Sequence, residues 1–500
     1  MNGCVRQDLT PVQLPAACAA LLRSGGRMQF AYAWFPTPGA AELRYVAAPG
    51  AGQPFTAWRV PIAPGGEVPS LANEAPLLGW YEREIMDLCA LRFADHPEPE
   101  PLVLHDGAQP AQPPLAPSDE AQTPLAFTTR PSRLPELRTR QGLREVQLLP
   151  FGPVRGDVLE SARFAFMYLG EAIIYYQPQL FFKHRGMERR FQGRSLDLGT
   201  VLAERVSGVG SVCHALAYCQ AVEAACGCTA PPRAQALRVL LAEIERLYNH
   251  LHYLGHLCHT TTLKVGEAEG MLLEERVKQL FARLTGSRFG RGLLAPGGLR
   301  RDVTIAPAMT DELEALRDRA LQYGQRLCRT NSHLDRLLTT GLLDRQVAFD
   351  QGATGPVERA SGIDRDLRRD HPYAGYPGLP LAVPVRSDGD AHARMRVRLD
   401  ELEASFALVQ YGLSDAPAGA VRVPCVPVPG AEGLGWAEGP RGSLFYAVHL
   451  DAAGRLARVK IKSPSFSNWR VFPSTVHDSN MMDYAINEAS FGLTIAGCDR

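Results

Sequence analysis

The sequence predicts an α+β protein in two parts: a small α+β N-terminal domain, then a larger, mainly helical domain with β-rich edges. Three observations carry this prediction. In the first hundred residues, short runs dense in apolar and aromatic side chains sit between Gly and Pro clusters, as strands do. From Pro97 to Pro135 there are ten prolines among Gln, Ala and Ser, a composition that spaces domains and builds no core. Beyond that stretch, apolar residues recur every three or four positions over long segments, the period of a helix face. The expected boundaries are 1–100 for the first domain, 101–140 for a proline-rich linker and 141–500 for the second domain.

The elements follow in order. Met28–Phe35, Glu42–Ala48 and Phe55–Ile62 read as strands, and Gly79–Leu88 as a helix with Tyr81, Ile85 and Leu88 on one face. An extended segment is expected near Val146–Phe151. Arg233–Leu263 carries the clearest helical stripe, from Leu237 and Leu240 through Leu254 to Cys258. Asp311–Leu338 reads as a second long helix, with Thr310 as its N-cap and acidic residues in its first turn. Met395–Leu413 reads as a third, with Leu399, Leu402, Phe406 and Val409 as its stripe. Several such helices imply a bundle. Near the end, Ser443–Leu450 and Arg455–Lys462 flank Asp451-Ala-Ala-Gly454 as a hairpin.

Composition narrows the function classes. The chain has 500 residues, 45% hydrophobic and 21% charged, with 53 basic and 53 acidic side chains and a formal net charge of zero. That balance argues against a nucleic-acid partner. No run reaches the ~18 apolar residues of a membrane helix, and the opening residues lack the order of an export signal. The expected setting is the cytoplasmic side of a membrane. Eleven cysteines, an odd number, include no CxxC pair, which argues against a short-loop zinc or iron–sulfur site and against a disulfide framework. Nothing has the form of a P-loop, a dinucleotide glycine fingerprint or a Ser-His-Asp arrangement.

Four segments go beyond generic helix and strand. They are Phe151-Gly-Pro-Val-Arg155 with His184-Arg-Gly-Met-Glu188; Glu204-Arg-Val-Ser-Gly-Val-Gly-Ser-Val-Cys-His214; Ala360-Ser-Gly-Ile-Asp-Arg-Asp-Leu-Arg368 with Asp370-His-Pro-Tyr373; and Glu438-Gly-Pro-Arg-Gly442 with Gly497-Cys-Asp-Arg500. In unbroken order from Gln147 to Arg500, these resemble the large subunit of membrane-bound (group 4) nickel–iron hydrogenases of the formate hydrogenlyase type. They also resemble the homologous 49-kDa subunit of respiratory complex I. Trp80-Tyr-Glu-Arg-Glu-Ile-Met-Asp87 with Asp95-His-Pro97 resembles the 30-kDa subunit of complex I. Fusion of the two modules in one chain is typical of the formate hydrogenlyase type.

The resemblance implies a nickel–iron centre held by four cysteine thiolates, and this chain departs from it at all four. The ligand positions fall on Ser207, Gly210, Thr494 and Gly497, while Arg205, Gly208, His214, Asp499 and Arg500 match the motifs. Soft thiolates are what nickel and iron require there. Cys213 and Cys498 are displaced from the ligand positions, which turns their sulfurs elsewhere. The expectation is therefore no metal and no other cofactor bound by this chain, with an iron–sulfur cluster on a partner subunit. The complex I likeness implies a quinone site, but Arg155 stands in the loop that carries the family's histidines, and the family's Tyr and Asp fall near Leu196 and Thr260.

The retained residues give the candidate site. In the hydrogenase, Arg441 would face the diatomic ligands of iron; here it lines an emptied pocket or forms a salt-bridged turn. Glu188 and His184, four apart, share a face if their stretch is helical, which suits a proton relay or an ion pair. His214 orients nearby backbone or is a satisfied core histidine. Asp364, Asp366, Arg368 and Arg369 read as a salt-bridge network. As a whole, the resemblance implies a peripheral-arm subunit of a membrane-bound, complex I-like oxidoreductase, related to enzymes that use NADH and quinone. Its partners would be a small iron–sulfur subunit and antiporter-like membrane subunits. It would pass electrons from iron–sulfur partners to quinone, coupled to ion translocation. The alternatives are a non-catalytic scaffold, or an active quinone reductase or hydrogenase subunit with altered ligands.

Overall fold

A computed structural model describes residues 4–37, 39–105, 108–110, 112–115, 127–129, 147–155, 160–477 and 479–500. Most of the proline-rich segment 101–140, and Val146 of the expected extended stretch, lie outside the described residues.

The N-terminal sheet is built from β1 (Cys4–Asp8), β2 (Arg27–Trp34), β3 (Ala41–Ala48) and β4 (Phe55–Ile62), in the order β1-β4-β3-β2. β1 runs parallel to β4, and the other pairs are antiparallel. After β4 comes α2 (Gly79–Cys89), as the sequence predicts, while β1 and the helix α1 (Leu14–Arg23) between β1 and β2 go beyond that prediction. β2 is buried along almost its whole length. The reason is that both α2 and a strand of the C-terminal sheet pack on it, so alternation gives way to a continuous apolar run.

The larger part opens with a small antiparallel sheet of β5 (Gln147–Phe151), β6 (Arg163–Leu169) and β7 (Ala172–Gln179). Its longest helices are α3 (Ser211–Cys226), α4 (Pro232–Thr260), α5 (Lys264–Thr285), α6 (Ala308–Leu327) and α7 (Ala391–Ser414). α4 to α7 pack on one another as a bundle. Pro232 at the first position of α4 suits a helix start, since its missing N–H would be unpaired there anyway. The Asp390 side chain accepts the Ala393 N–H at 2.7 Å and caps α7.

The C-terminal sheet comprises β8 (Glu432–Gly439), β9 (Gly442–Leu450) and β10 (Leu456–Lys462), all antiparallel. The predicted hairpin is β9–β10, and the sequence reading missed β8. Gly435 in β8 has a structural reason: a Cβ there would stand 2.2 Å from the Ala217 carbonyl of α3, so only Gly lets the helix lie this close. After β10 come α8 (Pro464–Val471) and α9 (Ile495–Asp499). The N-terminal sheet and the C-terminal sheet face each other through aromatic contacts. Phe55 meets Trp436 at 4.9 Å and Phe445 at 5.2 Å, and Trp34 stacks on His449 at 4.4 Å. One apolar core therefore runs through both parts.

Three expectations change. The segment Asp311–Leu338 is two helices, α6 and a short one at Asn331–Leu337. Thr310 does not cap α6; it lies inside it, with Pro307 at the cap, because Met309 is already turned into the core. The stretch around His184 is not helical: the helix there spans only Met187–Arg190, preceded by Gly186 at φ 60°, so His184 and Glu188 do not share a helix face.

Candidate functional site

The four family ligand positions converge. Ser207 and Gly210 lie in the loop that leads into α3, Thr494 is the N-cap of α9, and Gly497 sits within α9. Together with Cys213, His214, Arg441 and Ser465 they line one cavity of about 30 Å³, room for about one or two waters. The gap is closed from within. Thr494 Oγ1 lies 3.1 Å from Ser465 Oγ, and it accepts the Gly497 N–H at 3.3 Å. A Cβ at Gly497 would stand 2.5 Å from Thr494 Oγ1. The donors at the four positions are two hydroxyls and two bare backbones, which do not fit a nickel–iron centre. Nor do the nearby cysteines supply thiolates: burial holds Cys213 and Cys498 well above the usual thiol range. Among the described residues, no group of three or more His, Cys, Asp or Glu is placed to hold a metal ion.

Arg441 reaches this cavity from the turn between β8 and β9. Its Nε donates to the Gly492 carbonyl at 2.7 Å and its Nη1 to Asn249 Oδ1 at 2.6 Å. Burial, with Arg398 nearby, lowers it to about 10. It is held by neutral acceptors and not by a carboxylate, so a cation faces the pocket. His214, buried on α3, hydrogen-bonds the Tyr446 hydroxyl through Nδ1 at 2.9 Å. Burial and then Arg185 lower it to about 3, so the ring is neutral.

His184 and Glu188 have separate roles. His184 Nδ1 lies 2.6 Å from the Asp499 carbonyl, and burial lowers its pKa, so it donates a proton there as a neutral ring. Glu188 is the centre of a buried ionic cluster. Arg458 Nη1 donates to it at 2.7 Å, Lys460 Nζ lies at 3.2 Å and Arg500 Nη1 at 3.4 Å, and the Ile461 N–H donates at 3.1 Å. Burial alone would raise its pKa, but the three cations outweigh burial and hold the carboxyl well below the usual range. Glu84 on α2 joins the same cluster, accepting from Lys460 at 2.5 Å and Arg500 at 2.8 Å. The N-terminal part is thus tied to the pocket's framework through charge.

A second network lies behind the pocket. Asp366 and Arg368 are buried in it, while Asp364 and Arg369 pair with each other at the surface, so the expected four-residue network splits in two. Arg246, Arg359 and Arg368 serve Glu243, Glu401, Asp366 and Glu438. Four acids meet three arginines, and the excess falls on Glu438. Burial and the charge of Asp366 raise it to about 7. Asp499 is also raised to about 7, chiefly by burial, and its Oδ1 is buried without a hydrogen-bond partner. These two carboxyls hold protons near neutrality, and the sequence reading did not single them out as proton carriers. Glu438 was visible in its motif, but nothing local signals that its arginines are outnumbered.

Comparisons with known proteins agree with this arrangement. The family profile for the 49 Kd subunit of respiratory-chain NADH dehydrogenase matches residues 270–429 and 423–500. The nickel-dependent hydrogenase profile matches 185–268, and the 30 Kd subunit profile of NADH dehydrogenase matches 55–121. Formate hydrogenlyase subunit 5 of Escherichia coli is 32% identical over 422 residues, covering 81% of this chain and 72% of its own. An NADH-quinone oxidoreductase C/D subunit of Cereibacter sphaeroides is 28% identical over 492 residues, covering 88% and 83%. A chain from the solved structure of the membrane-bound sulfane sulfur reductase, an archaeal respiratory membrane complex, is similar with a TM-score of 0.67. It is 27% identical, and the match covers 71% of this chain and 99% of that one. No helix among the described residues is long and apolar enough to cross a membrane.

Proposed function

The chain belongs to the complex I-like family that fuses a 30-kDa-type and a 49-kDa-type subunit, with formate hydrogenlyase subunit 5 among its relatives, and we propose that it is a peripheral-arm subunit of a membrane-bound oxidoreductase working without its own nickel–iron centre. In this reading it packs against a small iron–sulfur subunit and antiporter-like membrane subunits on the cytoplasmic side. It carries the coupling between electron transfer, with quinone as acceptor, and ion translocation. The observation that carries the reading is the pocket: the ligand positions hold hydroxyls and glycines, while Arg441, His214 and the Glu188 cluster around them stay in place. Its own residues then have one role near the pocket, holding charge and protons. Arg441 keeps a cation at the cavity wall, and Glu438 and Asp499, each raised to about 7 chiefly by burial, each hold a proton near neutral pH.

The alternative, a non-catalytic scaffold, is favoured by one observation: His214 and Glu188 are each held far from neutrality in a single protonation state. The test uses the tagged chain purified from its native membrane. The proposal expects iron–sulfur and antiporter-like subunits to co-purify, with quinone reduction that falls in Arg441→Met and Glu438→Gln complexes of unchanged composition. Full activity in both variants favours the scaffold, and recovery of the chain alone contradicts both readings.

A further inference from the structure

Between the two parts of the chain lies a second cavity, of about 180 Å³. A benzene ring fits in about 150 Å³. The N-terminal part contributes Arg27 and Met28 at the start of β2 and Phe55 at the start of β4. The C-terminal part contributes residues between Gln351 and His371, Lys462 at the end of β10, and Phe466 on α8. Neither part encloses the space alone. The rim, at Gly25, Ala51, Asp364 and Arg369, is exposed, whereas Arg27, Ser443, Lys462 and Phe466 are buried. The cavity therefore leads from the surface into the interior.

The charges in its wall are not matched. Every carboxylate there has an arginine. Glu358 accepts from Arg27 Nη1 at 2.6 Å, and Asp364 and Asp370 each accept from Arg369 at 2.7 Å. Asp366 accepts from Arg368 Nη2 at 2.7 Å and Glu438 from Arg359 Nη1 at 3.3 Å. Three further cations of the wall have no carboxylate within ion-pair distance among the described residues. Lys462 Nζ donates to the carbonyl and the hydroxyl of Ser443, Arg365 lies over the Phe349 ring at 5.0 Å, and Arg470 Nε is buried without a hydrogen-bond partner.

Two more groups of the lining residues, Arg27 Nε and the Tyr81 hydroxyl, are buried and unpartnered. Unpaired buried donors and an uncompensated ammonium are costly, and a bound anion relieves both. The rest of the wall is apolar, with Met28, Phe55, Leu77 and Phe466. An apolar space with a few convergent polar groups is the usual form of a small-molecule site.

We propose that this cavity binds a small organic monocarboxylate, its carboxylate on Lys462 and its apolar body against Phe55 and Phe466. Glu358 and Glu438 stand in the same wall and disfavour a dianion such as phosphate. Burial, with Arg27 nearby, lowers Lys462 to about 7, and a bound carboxylate would keep its proton in place. Because both parts of the chain line the space, the ligand would bridge them. The site is separate from the pocket at the family's metal-ligand positions, and its test does not depend on the role proposed for that pocket.

The experiment titrates the full chain, purified with its partners, by calorimetry with benzoate, its neutral isostere benzamide, and inorganic phosphate. The expected result is one benzoate per chain, with benzamide and phosphate at least tenfold weaker. Lys462→Met removes a buried charge that has no carboxylate partner, and it should bind benzoate no better than benzamide. A second measurement locates the site in the unaltered chain: light-activated 4-azidobenzoate should label peptides carrying Met28 or Phe466, and excess benzoate should suppress the label. No benzoate binding at millimolar concentration overturns the proposal. So does benzoate binding that Lys462→Met leaves unchanged, phosphate binding as tight as benzoate, or a label confined to peptides outside the cavity.

Discussion

The pocket at Ser207, Gly210, Thr494 and Gly497 and the ionic cluster around Glu188 are neighbours with opposite tolerance for change. In the pocket the four ligand positions hold side chains that satisfy themselves locally, through the Thr494 cap and the Ser465 hydroxyl. In the cluster, Glu84 and Glu188 from two parts of the chain pair with Arg458, Lys460 and Arg500, all buried. Removing one member leaves charges stranded in a low dielectric. We propose that the ligand positions are free to change where no metal is held, whereas the charged frame around them resists substitution.

The comparison is broken most readily at Glu188. Glu188→Ala should cost about 3–5 kcal/mol, the typical penalty for orphaning a buried charge, read as a lower urea midpoint. If it costs no more than a surface substitution, the cluster is not a frame. At the pocket, Gly497→Ala forces a Cβ onto Thr494 Oγ1 and should cost about 1–3 kcal/mol by overpacking. Thr494→Ala should cost about 1 kcal/mol through the lost cap. In a double-mutant cycle the Gly497→Ala penalty should shrink in the Thr494→Ala background, since the clash is with the missing hydroxyl. Strict additivity would contradict the packed pocket.

Glu438 sharpens the contrast by pH. Its folded pKa is raised from 4.5 to about 7, so between those values the native state binds more protons than the unfolded one. Stability should therefore fall as pH rises through that window, and Glu438→Gln should flatten the melting temperature across it. Asp366, lowered to about 2, contributes outside this range, with stability lost as pH falls from 3.8 toward 2. An unchanged slope in Glu438→Gln would show the excess proton sits elsewhere. Smallest of all, Ser207→Ala should change stability by less than about 0.5 kcal/mol, measured in the same urea titration.

Much of this was legible in the sequence, for reasons that differ by residue. The strands β2, β3 and β4, α2, α4, α7 and the β9–β10 hairpin follow from local periodicity and turn residues, whereas β1 and α1 do not. The pocket was legible because its ligand positions sit in fixed motifs at each end of the second domain. The ionic frame was not: Glu84 and Arg500 are 416 positions apart, and Arg27 meets Glu358 across 331, so no local pattern pairs them. The break after Leu327 was hidden because the apolar spacing continues beyond it, through Leu334 and Leu337.

We propose that the pocket has been given up as a metal site while its frame is kept. The most direct test is the nickel content of the complex purified from its native membrane, measured per chain on the sample used for subunit identification. The account predicts an intact complex with iron from its partners and no stoichiometric nickel. One nickel per chain, lost on substitution at Thr494 or Ser207, would contradict it.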